Sequence, residues 1–174
     1  MPIDESLPFQ PVRIVVLKVT DRRLRNDDPA GDLVVANATA AGHKIVAREP
    51  VESDIWEITG RASVWASDPG IDCVIVIGGT GFAARDVTPE ALAQVWDREI
   101  PGFGELFRII SYQSVGSSAI QSRACAGLVG RVALIAIPSS PGADRDAWDT
   151  LIAPQLDSRH KPCNLVEHLS CARD

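Results

Sequence analysis

The residues best suited to chemistry lie in one run, Gly78 to Glu90, which reads GGTGFAARDVTPE. A glycine-rich turn bares successive backbone N–H groups, and such groups form concavities that bind anions. Asp86 sets a carboxylate beside them. Thr88-Pro89-Glu90 has the form of a helix start, with Thr88 as cap, Pro89 at the first helical position and Glu90 where the helix dipole favours negative charge. A second group follows downstream. Ser114, Ser117, Ser118, Gln121, Ser122 and Arg123 gather hydroxyls, an amide and a guanidinium. A buried strand, a glycine turn and a carboxylate ahead of a helix make an anionic-ligand site at the strand's C-terminal edge. Two other readings of the turn stay open at this point. It also fits a plain connection in an α/β protein, with Asp86 as part of the cap. Gly79-x-Gly81-x-x-Ala84 is moreover a degenerate dinucleotide fingerprint, although Arg85-Asp86 follow where the fingerprint helix should already have begun.

The elements that must position these residues follow from the apolar patterning. Residues 73–77, CVIVI, are an unbroken and largely β-branched run, the mark of a strand buried on both faces. Residues 12–19 read as a second central strand and 43–48 as another. A helix is expected over 32–41, with Leu33, Ala36, Asn37 and Ala40 on one face and Gly42 after its end. A second helix starts near Ser53 and carries Ile55, Ile58, Ala62 and Trp65 at helical spacing, with Gly60 a candidate break. A third is expected over 89–96. Pro101-Gly102-Phe103-Gly104 reads as a chain break before a helical pattern over 105–110. Residues 131–137 give a late buried strand, closed by Pro138-Ser139-Ser140-Pro141-Gly142. The last helix, over 143–156, shows Trp148, Leu151, Ile152 and Leu156 as its stripe, and 163–166 suggests a short edge strand. The alternation implies an α/β fold, a parallel sheet with helices on both faces, in one domain over 12–170 behind an N-terminal arm over 1–11.

Composition narrows the function. At 174 residues one domain is the natural expectation, and the formal charge of −6 argues against general nucleic-acid binding. Neither a signal-peptide pattern nor the ~20-residue apolar run of a membrane helix is visible, so the cytoplasm is expected. The four cysteines, Cys73, Cys125, Cys163 and Cys171, lack paired spacing and read as reduced thiols. The three histidines, His43, His160 and His168, form no metal-ligand pair.

Several stretches in order resemble one family. GGTG, then Asp86-Val87-Thr88-Pro89-Glu90-Ala91, then DREIPGFGELFR and Gln121-Ser122-Arg123 are similar to the MoaB/MogA family of molybdopterin-biosynthesis proteins. AWDTLIAPQLDSRHKPCNL resembles the MoaB branch in particular, and the likeness runs from Arg13 to about His168. The resemblance implies a three-layer α/β/α domain around a mostly parallel sheet, assembled as a homo-oligomer, trimer or hexamer. It implies binding of molybdopterin and its adenylylation by Mg-ATP, with release of pyrophosphate. It also assigns roles. Gly78, Gly79, Thr80, Gly81 and Thr88 would hold the molybdopterin phosphate together with Ser114, Ser117, Ser122 and Arg123. Asp86 would be catalytic and hold Mg²⁺, Glu52 would be a second catalytic acid, and Asp21, Pro138, Ser139 and Ser140 would line the nucleotide side.

Three positions depart from the catalytic members. Ile77 stands where a hydroxyl usually precedes GGTG. An ungapped alignment from GGTG puts Val51 or Glu52 where an Asp is usual, and Glu52 would be the substitute. Ser139 replaces a glycine, adding a Cβ at the edge of the nucleotide pocket. The alternative implied is a non-catalytic protein that binds molybdopterin or a precursor and passes it to other proteins of molybdenum-cofactor synthesis.

Overall fold

Alternate residues of the central strands go to opposite cores, and this parity builds the layers. The computed structural model describes residues 3–20 and 28–169; Asp21 and Cys171, both singled out in the sequence, lie outside the described residues. The strands are β1 (Arg13–Thr20), β2 (Lys44–Glu52), β3 (Cys73–Ile77), β4 (Arg98–Glu99), β5 (Cys125–Val129) and β6 (Val132–Ile137). They form one sheet in the order β2-β1-β3-β6-β5-β4. The β1–β2, β1–β3 and β3–β6 pairs are parallel, whereas β5–β6 and β4–β5 are antiparallel. The helices are α1 (Pro29–Ala40), α2 (Ile55–Ala66), α3 (Thr88–Leu92), α4 (Pro101–Val115), α5 (Pro141–Ala147) and α6 (Ala153–Leu156). Ile14, Val16, Cys73, Ile75 and Ile135 point into one core with α1, α4, α5 and α6. Val15, Leu17, Val74, Val76 and Leu134 point into the other with α2 and α3. The result is a mixed α/β fold with helices on both faces of a mostly parallel sheet.

Local sequence explains where elements differ from expectation. Helix α1 begins at Pro29 because Asp28 caps it, accepting from the Gly31 N–H at 3.0 Å. Its buried face is therefore Ala30, Gly31, Val34 and Ala38, while Ala36 and Ala40 of the expected stripe are exposed. Lys18 and Arg48 pair with Asp28 at 3.1 and 2.9 Å. Burial of the Asp28 carboxyl pushes its pKa up, but Arg48, the Gly31 N–H and Lys18 outweigh that and hold it below the ordinary value.

Pro101-Gly102-Phe103-Gly104 does not break the chain; it is the first turn of α4, with Pro101 at the helix start. Gly104 faces the carbonyl of Ala124, which a Cβ there would meet at 2.5 Å, so the glycine lets α4 lie close to the sheet. Helix α2 runs through Gly60 unbroken, with Asp54 capping it through the N–H groups of Trp56 and Glu57.

The hairpin of β5 and β6 was not expected as a pair of strands. Cys125-Ala126-Gly127 carries little β propensity, and Gly127 is there because the Trp96 ring covers it. No strand forms over residues 163–166. Asn164 turns its amide onto the carbonyls of Ser158 and His160 instead, and a 3₁₀ turn, Leu165–His168, follows. The last helical region passes from α5 through a π-helical turn, Trp148–Ile152, into α6, and it buries Trp148, Leu151, Ile152 and Leu156 as the periodicity implied.

Residues 3–11 lie along their own chain. Ile3 bridges to His160, the Gln10 N–H donates to Ser158, and the Phe9 ring meets His43 at 5.3 Å. His43 is buried, and its Nδ1 accepts from the Val12 N–H at 3.2 Å, which requires the neutral ring. Burial lowers its pKa from the ordinary 6.5, against an opposing pull from Asp157.

Protonation therefore favours the unfolded chain. The stability that neutral His43 contributes is complete above 6.5 and is lost as pH falls through the lower folded value. The melting temperature should fall between about pH 7.5 and 5.5, and His43→Asn, which keeps an acceptor for Val12 but cannot titrate, should flatten that slope in a calorimetric pH series.

Candidate functional site

Strands β1, β3 and β6 run parallel and end at one edge of the sheet, where open α/β sheets gather their ligands. The glycine turn starts there as a continuation of the sheet. The Gly78 N–H donates to the Ile137 carbonyl at 2.9 Å, extending the β3–β6 ladder by one bond. Gly78 has φ of 102°, and a Cβ on it would lie 3.1 Å from the Val19 carbonyl and 3.7 Å from the Ser139 Cβ. Gly79 has φ of 66°, and a Cβ there would collide with the Thr88 hydroxyl. Both positions require glycine.

Thr88 has a different task from the one expected. Val87 occupies the cap position of α3, and the Ala91 N–H reaches the Val87 carbonyl at 2.9 Å. The Thr88 hydroxyl is fully buried and donates to the Gly78 carbonyl at 2.8 Å, while its own N–H donates to the Gly79 carbonyl at 3.0 Å. The β-turn glycines are thus pinned to the first residue of α3.

Asp86 closes the next bend. Its Oδ2 accepts from the Ala83 N–H at 2.8 Å and lies so near Gly81 that a Cβ there would meet it at 2.7 Å. No hydrogen bond to Oδ1 occurs among the described residues.

Arg123 braces the same bend from outside. Its Nε donates to the Gly81 carbonyl at 2.8 Å, one terminal nitrogen donates to the Asp86 carbonyl, and the other pairs with Glu90. Its backbone N–H donates to the Thr80 carbonyl at 2.8 Å, and its guanidinium lies 5.4 Å from the centre of the Phe82 ring. The sequence suggested a guanidinium for gripping a ligand phosphate; the structure shows one committed to the loop.

The other residues singled out in the sequence are dispersed. Glu52 ends β2, opposite Thr20 on β1, and the next residue, Ser53, donates its hydroxyl to the Arg85 carbonyl. That bond ties the end of β2 to the residue before Asp86. Pro138, Ser139 and Ser140 follow β6, with Ser139 beside Gly78. Ser114 points elsewhere: its hydroxyl lies 3.1 Å from the Ser111 carbonyl and 3.4 Å from the Asp146 carboxylate. Ser117 is exposed in the 3₁₀ turn Gly116–Gln121. Ser122 accepts weakly from the Ala124 N–H at 3.4 Å. Sequence reasoning missed Phe82, Glu90 and Ser53 as parts of this rim, since their partners lie more than thirty positions away. Cys125, on β5, is no nucleophile: burial, helped by the charge of Glu99, pushes its thiol to about 12.

Among the described residues no three His, Cys, Asp or Glu side chains converge to hold a metal ion. Magnesium asks for less. It binds through one or two carboxylates and completes its shell with water and substrate phosphate oxygens. A single carboxylate with an uncommitted oxygen, set beside bare backbone donors, fits an ion that arrives on a nucleotide.

Residues 15–158 match the family described as "Probable molybdopterin binding domain". The chain belongs to this family. It is 42% identical over 164 residues to molybdenum cofactor biosynthesis protein B of Escherichia coli (strain K12), covering 94% of this chain and 96% of that protein. Identity to the protein of the same name from Bacillus subtilis (strain 168) is 40% over 146 residues, 83% of this chain and 86% of that one. Among solved structures, a crystal structure of molybdenum cofactor biosynthesis protein B superposes with a TM-score of 0.81 at 40% identity, covering 84% of this chain and 92% of that chain. In this member of the family the pinned turn, the capped bend and the Arg123 brace form one continuous unit at the sheet edge.

The pin can be tested alone. Thr88→Val keeps the shape but leaves the Gly78 carbonyl without its donor, and chemical denaturation should show a loss of about 1–3 kcal/mol. An unchanged midpoint would mean that Thr88 does not hold the turn.

Proposed function

We propose that this sheet-edge rim binds the phosphorylated tail of molybdopterin and presents it to Mg-ATP for adenylylation. The observation that carries the reading is the glycine turn itself: strained open by Gly78 and Gly79, fixed by Thr88, and flanked by the Asp86 carboxylate. The chain takes part in molybdenum-cofactor biosynthesis, as its relatives named above do by name.

The residues divide the work. Backbone N–H groups of Gly79, Thr80 and Gly81 receive the terminal phosphate of molybdopterin. Asp86 takes the magnesium ion of Mg-ATP, and Glu52 supplies a second carboxylate at the end of β2. Pro138, Ser139 and Ser140, which follow β6, take the nucleotide side, and Ser122, just before the Arg123 brace, is the serine left for the pterin side. Magnesium, held there by Asp86 and Glu52, would supply charge neutralisation on the phosphates. An oxygen of the molybdopterin phosphate then bonds to the α-phosphorus of ATP as the bond to the β-phosphate oxygen breaks, and pyrophosphate leaves. A reaction between two anions needs alignment and charge neutralisation more than a strong base, and the rim supplies both. Arg123 contributes by holding the loop in shape.

A second reading has its own support. Ile77 is wholly buried at the end of β3 and brings no hydroxyl to the mouth of the turn, and Ser139 stands beside Gly78 where the resemblance led us to expect a glycine. Both favour a carrier that holds molybdopterin without adenylylating it. Titration calorimetry with Mg-ATP, with and without molybdopterin, separates the two. Saturable ATP binding followed by pyrophosphate release establishes the enzyme; molybdopterin binding without ATP binding establishes the carrier.

The cytoplasm and a homo-oligomer, trimer or hexamer, belong to the same proposal. Helix α4 presents Leu106, Ile109, Tyr112 and Val115 along an outer stripe, with Ile109 60% exposed. An uncovered stripe of this kind is unusual on a monomer and suits a second copy of the chain.

Two outcomes are expected. Asp86→Asn, which keeps an acceptor for the Ala83 N–H but drops the charge, should abolish magnesium-dependent pyrophosphate release while molybdopterin binding persists; normal turnover would remove Asp86 from the metal role. Ile109→Asp should lower the assembly mass seen by light scattering, and an unchanged mass would exclude α4 from the interface.

A further inference from the structure

Phe82 is the most exposed phenylalanine among the described residues. Phe107 is buried in the core and Phe103 packs against it, whereas Phe82 leaves 68% of its surface in water. It also directly follows Gly81, the last glycine of the turn.

The ring is held in place despite its exposure. Arg123 lies over it at 5.4 Å, and that guanidinium is itself fixed on the Gly81 carbonyl, the Asp86 carbonyl and Glu90. A cation fixed over an aromatic ring limits where the ring can go. The next two residues, Ala83 and Ala84, are small and exposed, so nothing in the loop crowds the ring. A large apolar side chain kept in water by a rigid support is poised to be covered.

We propose that Phe82 is a stacking platform for the pterin ring of molybdopterin. The proposal rests on the reading of the glycine turn as the cradle for the molybdopterin phosphate, and it adds the subsite for the other end of the same ligand. Position selects the pterin over adenine. The turn has two ends: Gly78 abuts Ser139, and Gly81 abuts Arg123. In the function proposed above the nucleotide takes the Ser139 end, and Phe82 stands at the opposite one. A flat heterocycle laid on Phe82 keeps its phosphorylated tail within reach of the Thr80 and Gly81 N–H groups, because adjacent residues are only about 3.8 Å apart. The ring recognises a π face and not a hydrogen-bond pattern, so it adds affinity for a heterocycle and none for a bare phosphate.

Titration calorimetry on the full chain compares the wild type, Phe82→Ala and Phe82→Tyr, with molybdopterin and, as a ringless probe, inorganic pyrophosphate. Phe82→Ala should weaken molybdopterin roughly tenfold, Phe82→Tyr should restore wild-type affinity, and all three should bind pyrophosphate alike. Equal molybdopterin binding by wild type and Phe82→Ala overturns the stacking role and leaves the phosphate cradle standing. Equal weakening of pyrophosphate and molybdopterin also overturns it, since that marks loop damage. A drop in assembly mass for Phe82→Ala, read by light scattering, overturns it by showing that another copy of the chain covers the ring. If the wild type binds no molybdopterin, the cradle reading itself fails and the platform falls with it.

Discussion

One guanidinium holds the candidate site together. The four residues Phe82, Ala83, Ala84 and Arg85 are all exposed and bury little of their own surface. A segment like that gains almost nothing from the hydrophobic effect to offset the entropy of ordering it. Arg123 supplies what is missing, reaching the carbonyl before the segment at Gly81, the carbonyl after it at Asp86, and the carboxylate of Glu90 in α3. Arginine suits the task because its planar fork presents several donors in fixed directions, which a lysine ammonium cannot do. The pairing with Glu90 also balances the arginine's charge, so in the proposed function binding of a phosphate would rest on backbone N–H groups and on any metal that Asp86 takes.

The brace works only because the sheet fixes both ends of the span it closes. Gly78 continues the β3–β6 ladder, and the chain that carries Arg123 runs directly into β5, which pairs with β6. Cys73 to Ile77 and Val132 to Ile137 are buried throughout, so the strands from which the rim projects are among the least mobile parts of the molecule. The positive φ at Gly78 and Gly79, open to glycine alone without steric cost, turns the chain away from the strand direction at this edge. Helix α3 is short, and its contribution is to present Thr88 and Glu90 at the right place.

Much of this could be read from residue types. The strand 73–77 announces itself by unbroken β-branched residues, and glycines in succession after it announce a turn that other residues cannot make. Helix α2 and the last helical region are legible from spacing alone. What escaped has a common cause: the deciding contact lies far away in sequence. Arg123 looked like a ligand residue because its acceptors are Gly81, Asp86 and Glu90, which no local pattern connects to it. Gly104 looked like a breaker because the Ala124 carbonyl that demands it belongs to another element, and Gly127 hid β5 because Trp96 fills the space of its missing side chain. In α1 the error was local: the helix was expected over 32–41, whereas Asp28 caps it and Pro29 takes the first helical position. Thr88 was expected to cap α3, but Val87 holds that position and the Thr88 hydroxyl donates instead to Gly78, a contact ten positions back.

We propose above all that a preformed main-chain rim at the C-terminal edge of β3 receives the phosphorylated end of molybdopterin. Amide hydrogen exchange, read residue by residue with and without molybdopterin, tests it most directly. Exchange should slow at Gly79, Thr80 and Gly81, with the amides of β4 at the far edge of the sheet unchanged. Protection confined to other segments, with the three turn amides exchanging as they do in the free chain, would contradict it.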